Sequence, residues 1–170
     1  QLARSIEHFA SREAMDIAGL GSSLISRFLA EGIISSIEDI YRMDFDRVAA
    51  LDRMGERSAQ NLRDAIEISK MQNFDRVLFA LGIRFVGAVT ARNLAQHFGS
   101  LKKLQQADLQ ELSAVPEVGE KIALSIREYF DNAKNCALVE KLEELGLNTS
   151  YVSQQHSSLL EGKSFLVTGS

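Results

Sequence analysis

Four glycines at nearly equal spacing constrain this chain more than any other feature. Gly21, Gly55, Gly87 and Gly119 are separated by 34, 32 and 32 residues. Each follows one apolar residue: Leu20, Met54, Val86 and Val118. Each precedes a small or apolar residue four places on (Ile25, Ala59, Ala91, Ala123) and another seven places on (Phe28, Leu62, Leu94, Ile126). Those offsets fall on one face of a helix with a 3.6-residue period. Every repeat therefore predicts a tight turn that opens a helix with one buried face. Units this small cannot bury that face alone, so they must stack on one another.

A longer period lies over the first. Residues 36–55 align with 100–119 at a constant offset of 64 without a gap, with Ser36/Ser100, Asp44/Asp108, Glu56/Glu120, Ala59/Ala123 and Arg63/Arg127 in register. This predicts a duplicated pair of hairpins rather than four independent ones. Short amphipathic helices are expected over 37–43 and 101–107, each introduced by a serine (Ser36, Ser100) that caps the first turn. Pro116, the only proline, stands just before the fourth turn, where a helix has to stop. The expected fold is all-α: a tandem, duplicated helix-hairpin-helix domain of four hairpins over 1–147. A polar, serine-rich linker is expected over 148–161, and a truncated β-strand of a further domain over 162–170. Gly162-Lys163-Ser164 is not a nucleotide phosphate loop, because Ser157 stands where that loop needs glycine and a strand pattern follows.

In a helix-hairpin-helix unit the apolar residue of the turn points inward and pins the two helices. The glycine after it opens the second helix, where a Cβ would block close approach and a positive φ is expected. The first N–H groups of that helix lack intrahelical partners and, with the helix dipole, make an anion site. A DNA phosphate fits there without a charged side chain, which reconciles DNA binding with a net charge of −4 and a pI near 5.4. Charge along the chain ranks the turns. From Arg76 to Ala107 there is no acidic residue, while Arg76, Arg84, Arg92, Lys102 and Lys103 are basic, and a local field of that sign steers phosphate.

The candidate DNA-binding residues are Gly21, Gly55, Gly87 and Gly119, Val86 of the third turn, and the cations beside the turns. Arg84 and Arg92 flank turn three. Arg53 and Arg57 flank turn two against Asp52 and Glu56, and Lys121 stands beside Glu117 and Glu120 at turn four. Turn three is expected to lead. Phe85 is expected to be buried, the exposed alternative being a wedge into the minor groove. Two rival readings remain: a hairpin module of another DNA repair protein, and a protein–protein or self-association module, which the acidic pI favours.

Other chemistry is not expected. Cys136 is the only cysteine, so no internal disulfide forms, and His8, His97 and His156 lack ligand spacing for zinc. Cys136 reads as a small buried hydrophobe, and its free state suits a reducing, cytoplasmic setting. No apolar run reaches the ~18 residues of a membrane span. No nucleophile–base pair or metal cluster is evident, so no catalytic residue, cofactor or small-molecule substrate is assigned to this chain.

Several strings resemble the C-terminal half of bacterial NAD-dependent DNA ligases. They are Ser11-Arg12-Glu13-Ala14-Met15-Asp16-Ile17 before Gly19-Leu20-Gly21, Arg53-Met54-Gly55 with Ser58-Ala59-Gln60-Asn61, Leu81-Gly82-Ile83-Arg84-Phe85-Val86-Gly87, and Val115-Pro116-Glu117-Val118-Gly119. The resemblance implies a hairpin domain between a small zinc module, whose cysteines would precede Gln1, and a BRCT domain, whose first strand 162–169 resembles. It implies a parent enzyme that uses NAD, magnesium and zinc to seal nicks in replication and repair, moving AMP from NAD to a lysine and then to the DNA 5′-phosphate. No lysine here is followed by x-Asp-Gly, the motif of that nucleophile. The role implied for this chain is therefore non-catalytic: a sequence-independent grip on double-stranded DNA, nicked in the parent enzyme, from the minor-groove side. Arg57 stands where that family commonly has lysine, and Phe85 where a polar residue is frequent.

Overall fold

The residues placed four and seven positions after each repeat glycine are all buried, and they share one continuous apolar core. Full burial of a side chain such as Phe28 or Leu94 contributes roughly 2–3 kcal/mol. The computed structural model describes residues 2–151, so the strand expected over 162–170 and most of the expected linker lie outside the described residues. Within them the chain forms ten α-helices: α1 (Leu2–Ala10), α2 (Ser22–Ala30), α3 (Phe45–Ala49), α4 (Gly55–Ser69), α5 (Phe74–Ala80), α6 (Ala88–Phe98), α7 (Leu101–Gln106), α8 (Leu109–Ser113), α9 (Glu120–Asp131) and α10 (Ala133–Glu144). A 3-10 helix, Glu38–Arg42, lies between α2 and α3. The extended pairing among the described residues is one isolated antiparallel bridge, Ser100 to Ser150.

Four packed helix pairs follow from the four turns: α1 with α2, α3 with α4, α5 with α6, and α8 with α9. The offset of 64 read from the sequence carries α3 onto α8, and α7 occupies the place of the 3-10 helix. The two halves are joined by α1 against α5 and by α10, which packs on both α9 and the 3-10 helix. Polar ties reinforce the join. His8 Nε2 donates to the Phe79 carbonyl at 2.7 Å, and Arg76 donates to the carbonyls of Ala14 (2.7 Å) and Arg12. The all-α duplicated hairpin fold is thus as the repeats predict.

Three local expectations change. Ser100 caps α7 as expected, its Oγ accepting from the Lys103 N–H at 3.1 Å. Ser36 does not do the same for its segment, which winds into the tighter 3-10 helix without a side-chain cap. There the N–H and hydroxyl of Ser35 both donate to Asp39 at 2.9 Å. Burial pushes the Asp39 carboxyl up, but hydrogen bonds from Ser35, Arg42 and Ser36 outweigh it and hold the group below the usual carboxylate range. Cys136 is half-buried rather than a plain core residue, because its thiol donates to the Phe130 carbonyl (3.0 Å) and accepts from Gln105 Nε2 (3.2 Å). Backbone pairing also continues past 147: Leu101 N–H reaches the Thr149 carbonyl at 2.8 Å and Tyr151 N–H the Gly99 carbonyl at 2.9 Å.

Candidate nucleic-acid interface

All four turns are built alike up to the apolar residue. The N–H groups of Leu20, Met54, Val86 and Val118 bond the carbonyls three residues back, at 3.2, 3.1, 3.0 and 3.0 Å. The residue two places before each repeat glycine takes a left-handed backbone: Gly19 (φ +89°), Arg53 (+68°), Phe85 (+71°) and Glu117 (+73°). That is the third position of a turn, where a positive φ suits glycine. Only turn one supplies one, so the sequence alone gives no sign of the other three.

The positive φ expected at the repeat glycine itself occurs only at Gly55, at +76°. Gly21, Gly87 and Gly119 have φ of −94°, −88° and −91°, backbone that any residue adopts. A Cβ built on any of these three meets no atom within 4 Å. Neither backbone strain nor packing among the described residues therefore calls for glycine there. The absent side chain leaves the first turn of the following helix open to close approach from outside.

The helix starts divide in a related way, except that α5, which follows no repeat glycine, also begins without a side-chain cap bond. The starts of α3, α7, α8 and α10 are capped by the side chains of Asp44, Ser100, Asp108 and Asn132. The helices that leave the four turns, α2, α4, α6 and α9, have no side-chain cap. Their first N–H groups keep their capacity for an external acceptor. Of these four, α2 and α6 have no acidic residue in the first turn, whereas α4 and α9 carry Glu56 and Glu120 there.

Turns three and four are clasped together. Ser125 of α9 donates to the Arg84 carbonyl at 2.6 Å, and Asn93 of α6 donates to the Pro116 carbonyl at 3.1 Å. Between the turns lies an open cleft of about 530 Å³ lined by Arg84, Phe85, Lys121, Leu124, Ser125, Glu128 and Tyr129. Phe85 is 44% exposed, contrary to the burial expected of it, because Val86 takes the inward place and Phe85 occupies the left-handed apex. Two cations from different turns meet its ring: Arg84 Cζ lies 4.9 Å and Lys121 Nζ 4.6 Å from the centroid. The sequence reading set Arg84 and Lys121 apart as features of separate turns, whereas the fold brings them to one aromatic ring.

Other candidates disperse. Arg92 lines a second cleft with Arg12, Arg76, Glu13 and Asp75, so it is not free of acidic neighbours as the sequence suggested. Arg76 is occupied by carbonyls, and Lys102 lines a groove with Glu140 and Glu143. The basic window is thus a feature of the chain and not one surface patch. Val86 is buried with its N–H bonded, so its part is to pin the turn. Arg53 and Arg57 are exposed, and the ion pairs among the described residues include neither of them, nor Arg84, Arg92 or Lys121. No group of three or more His, Cys, Asp or Glu among the described residues could hold a metal ion, and no helix there is long and apolar enough to cross a membrane.

Comparison with known proteins agrees with this geometry. Residues 11–67 match the family described as a SAM-like helix-hairpin-helix tandem, and residues 76–139 match the helix-hairpin-helix motif family. The chain is 45% identical over 169 residues to a DNA ligase of Carboxydothermus hydrogenoformans, covering 99% of this chain and 26% of that protein. It is 44% identical over 170 residues to a DNA ligase of Koribacter versatilis, covering 100% of this chain and 25% of that protein. A DNA ligase of Methylacidiphilum infernorum is 45% identical over 170 residues, at 99% and 25% coverage. The chain spans about a quarter of the length of these curated relatives.

Proposed function

We propose that this chain, which belongs to the helix-hairpin-helix family and is homologous to a segment of the DNA ligases, grips duplex DNA through its hairpin turns. The observation that carries this reading is the set of glycine-opened, uncapped helix starts at Gly21, Gly87 and Gly119, which need no glycine for their own fold. A phosphate oxygen is the acceptor those N–H groups and the helix dipole suit. Arg84 and Lys121 add charge beside turns three and four, and Arg53 and Arg57 beside turn two. Contacts of this kind fix position on the backbone without reading bases, which suits a protein that must act at any nick.

In this reading the turns face the minor groove, and the rest of the parent ligase carries the sealing chemistry with NAD and magnesium. The chain itself forms no adenylate. Titration of intact and nicked duplexes across a salt series tests the proposal. Binding is expected with Kd on the order of 10⁻⁴–10⁻⁶ M near physiological salt, falling steeply as salt rises and changing little with sequence. Arg84→Ala should reduce the salt slope by about one. Salt-insensitive binding, or a strong preference for one sequence, contradicts it.

A further inference from the structure

Phe85 is out of place for a residue that serves only the fold. A large aromatic ring stands 44% exposed at a turn apex. It does so on a left-handed backbone (φ +71°), which costs a non-glycine residue roughly 1–2 kcal/mol. Turn one fills the same place with Gly19 and turns two and four with Arg53 and Glu117, so the turn has no need of an aromatic there. Leu124 beside it in the cleft is also exposed, at 44%. The apolar tip is bracketed by positive charge, with Arg84 and Lys121 each within 5 Å of the ring centroid and Ser125 fixing the Arg84 carbonyl beneath.

We propose that Phe85 is a minor-groove wedge: its ring enters the groove while Arg84 and Lys121 engage phosphates beside the point of entry. The charge pattern selects duplex DNA as the occupant, since the B-form minor groove is only about 6 Å wide and walled by phosphate-bearing strands. Cations held over the ring, as Arg84 and Lys121 are, therefore come within side-chain reach of phosphates as the ring goes in. An apolar side chain inserted there partly unstacks a base step and bends the duplex. This inference rests on the DNA-gripping reading and adds to it a deformation that phosphate contacts alone do not produce.

The test uses the whole chain and a short duplex carrying 2-aminopurine at its central steps, whose fluorescence rises when stacking is lost. Phe85→Gly places at turn three the residue turn one already uses, so thermal unfolding should show a fold as stable as the parent's. At saturation the parent chain should raise the fluorescence. Phe85→Gly should bind roughly tenfold more weakly, with the same salt slope and no fluorescence rise. Phe85→Leu, still apolar but smaller, should keep part of both effects. A Gly variant that still raises the fluorescence overturns the wedge. So does one whose salt slope falls by about one, because the ring then only positions its cations. If the parent binds with steep salt dependence yet leaves the fluorescence flat, the wedge fails and the grip stands. If the parent does not bind at all, the grip itself fails.

Discussion

The tether from Asn93 to the Pro116 carbonyl in the second half has a counterpart in the first, where Arg27 Nη1 donates to the Asp52 carbonyl at 2.7 Å. Arg27 and Asn93 share the register that aligns Gly21 with Gly87, and Asp52 and Pro116 share the one that aligns Gly55 with Gly119. The duplicated fold thus keeps the tether and changes the residue that makes it. In the first half an arginine is held by the fold. In the second an asparagine does that work, while Arg84 and Lys121 converge on Phe85. Turn one has Ala18 and Gly19 where turn three has Arg84 and Phe85, so the first half has no such tip. One scaffold therefore keeps the same tether in both halves, and the second half adds an aromatic tip under two cations.

The paired glycines sharpen this contrast most. Gly55 and Gly119 stand in equal register, yet their φ angles are +76° and −91°. Gly55→Val forces a β-branched residue into left-handed backbone and should destabilise the chain by about 1–2 kcal/mol or more. Gly119→Val should cost less than about 1 kcal/mol, the penalty of a poor N-cap residue. Denaturant unfolding of the two variants checks the difference, and equal losses would erase the distinction between the turns.

The clasp gives the next effect. Ser125→Ala removes a mostly buried hydroxyl and leaves the Arg84 carbonyl without that donor, a loss of about 1 kcal/mol. Its counterpart in the first half, Asn61, has no such bond among those described, so Asn61→Ala should be close to neutral. Arg84→Ala and Lys121→Ala should each weaken DNA binding a few-fold and combine non-additively, because both cations meet one ring. Strict additivity in a double-mutant cycle would mean that the two act separately. The smallest effect belongs to Arg27→Asn. If the tether is Arg27's whole role, asparagine should keep stability within about 0.5 kcal/mol and leave the salt slope unchanged.

Legibility differed by level. The buried faces were readable because helical periodicity is a property of spacing, and Ile25, Phe28, Ala91 and Leu94 are fully buried as that spacing requires. The turns were readable from their glycines, but not the left-handed residue before them, since Arg53, Phe85 and Glu117 carry no glycine signal. Phe85 was misread because hydrophobicity argues for burial, whereas the backbone at the apex decides its exposure. The tethers from Arg27, Asn93 and Ser125 were hidden because they end on carbonyls, which every residue has. The basic window misled because neighbours in sequence, such as Arg84 and Arg92, line different clefts.

The central claim is that the helix starts after the turns are left uncapped for an external anion. Gly87→Ser tests it most directly. A serine there adopts the same extended backbone without strain, its Cβ meets no neighbour within 4 Å, and its hydroxyl can cap α6. Thermal unfolding and salt-dependent DNA titration on this one variant should move in opposite directions. Stability should hold or rise by up to about 1 kcal/mol, while DNA affinity falls several-fold because the hydroxyl occupies the N–H groups and narrows the approach. Unchanged or tighter DNA binding in a stably folded Gly87→Ser chain would contradict the account.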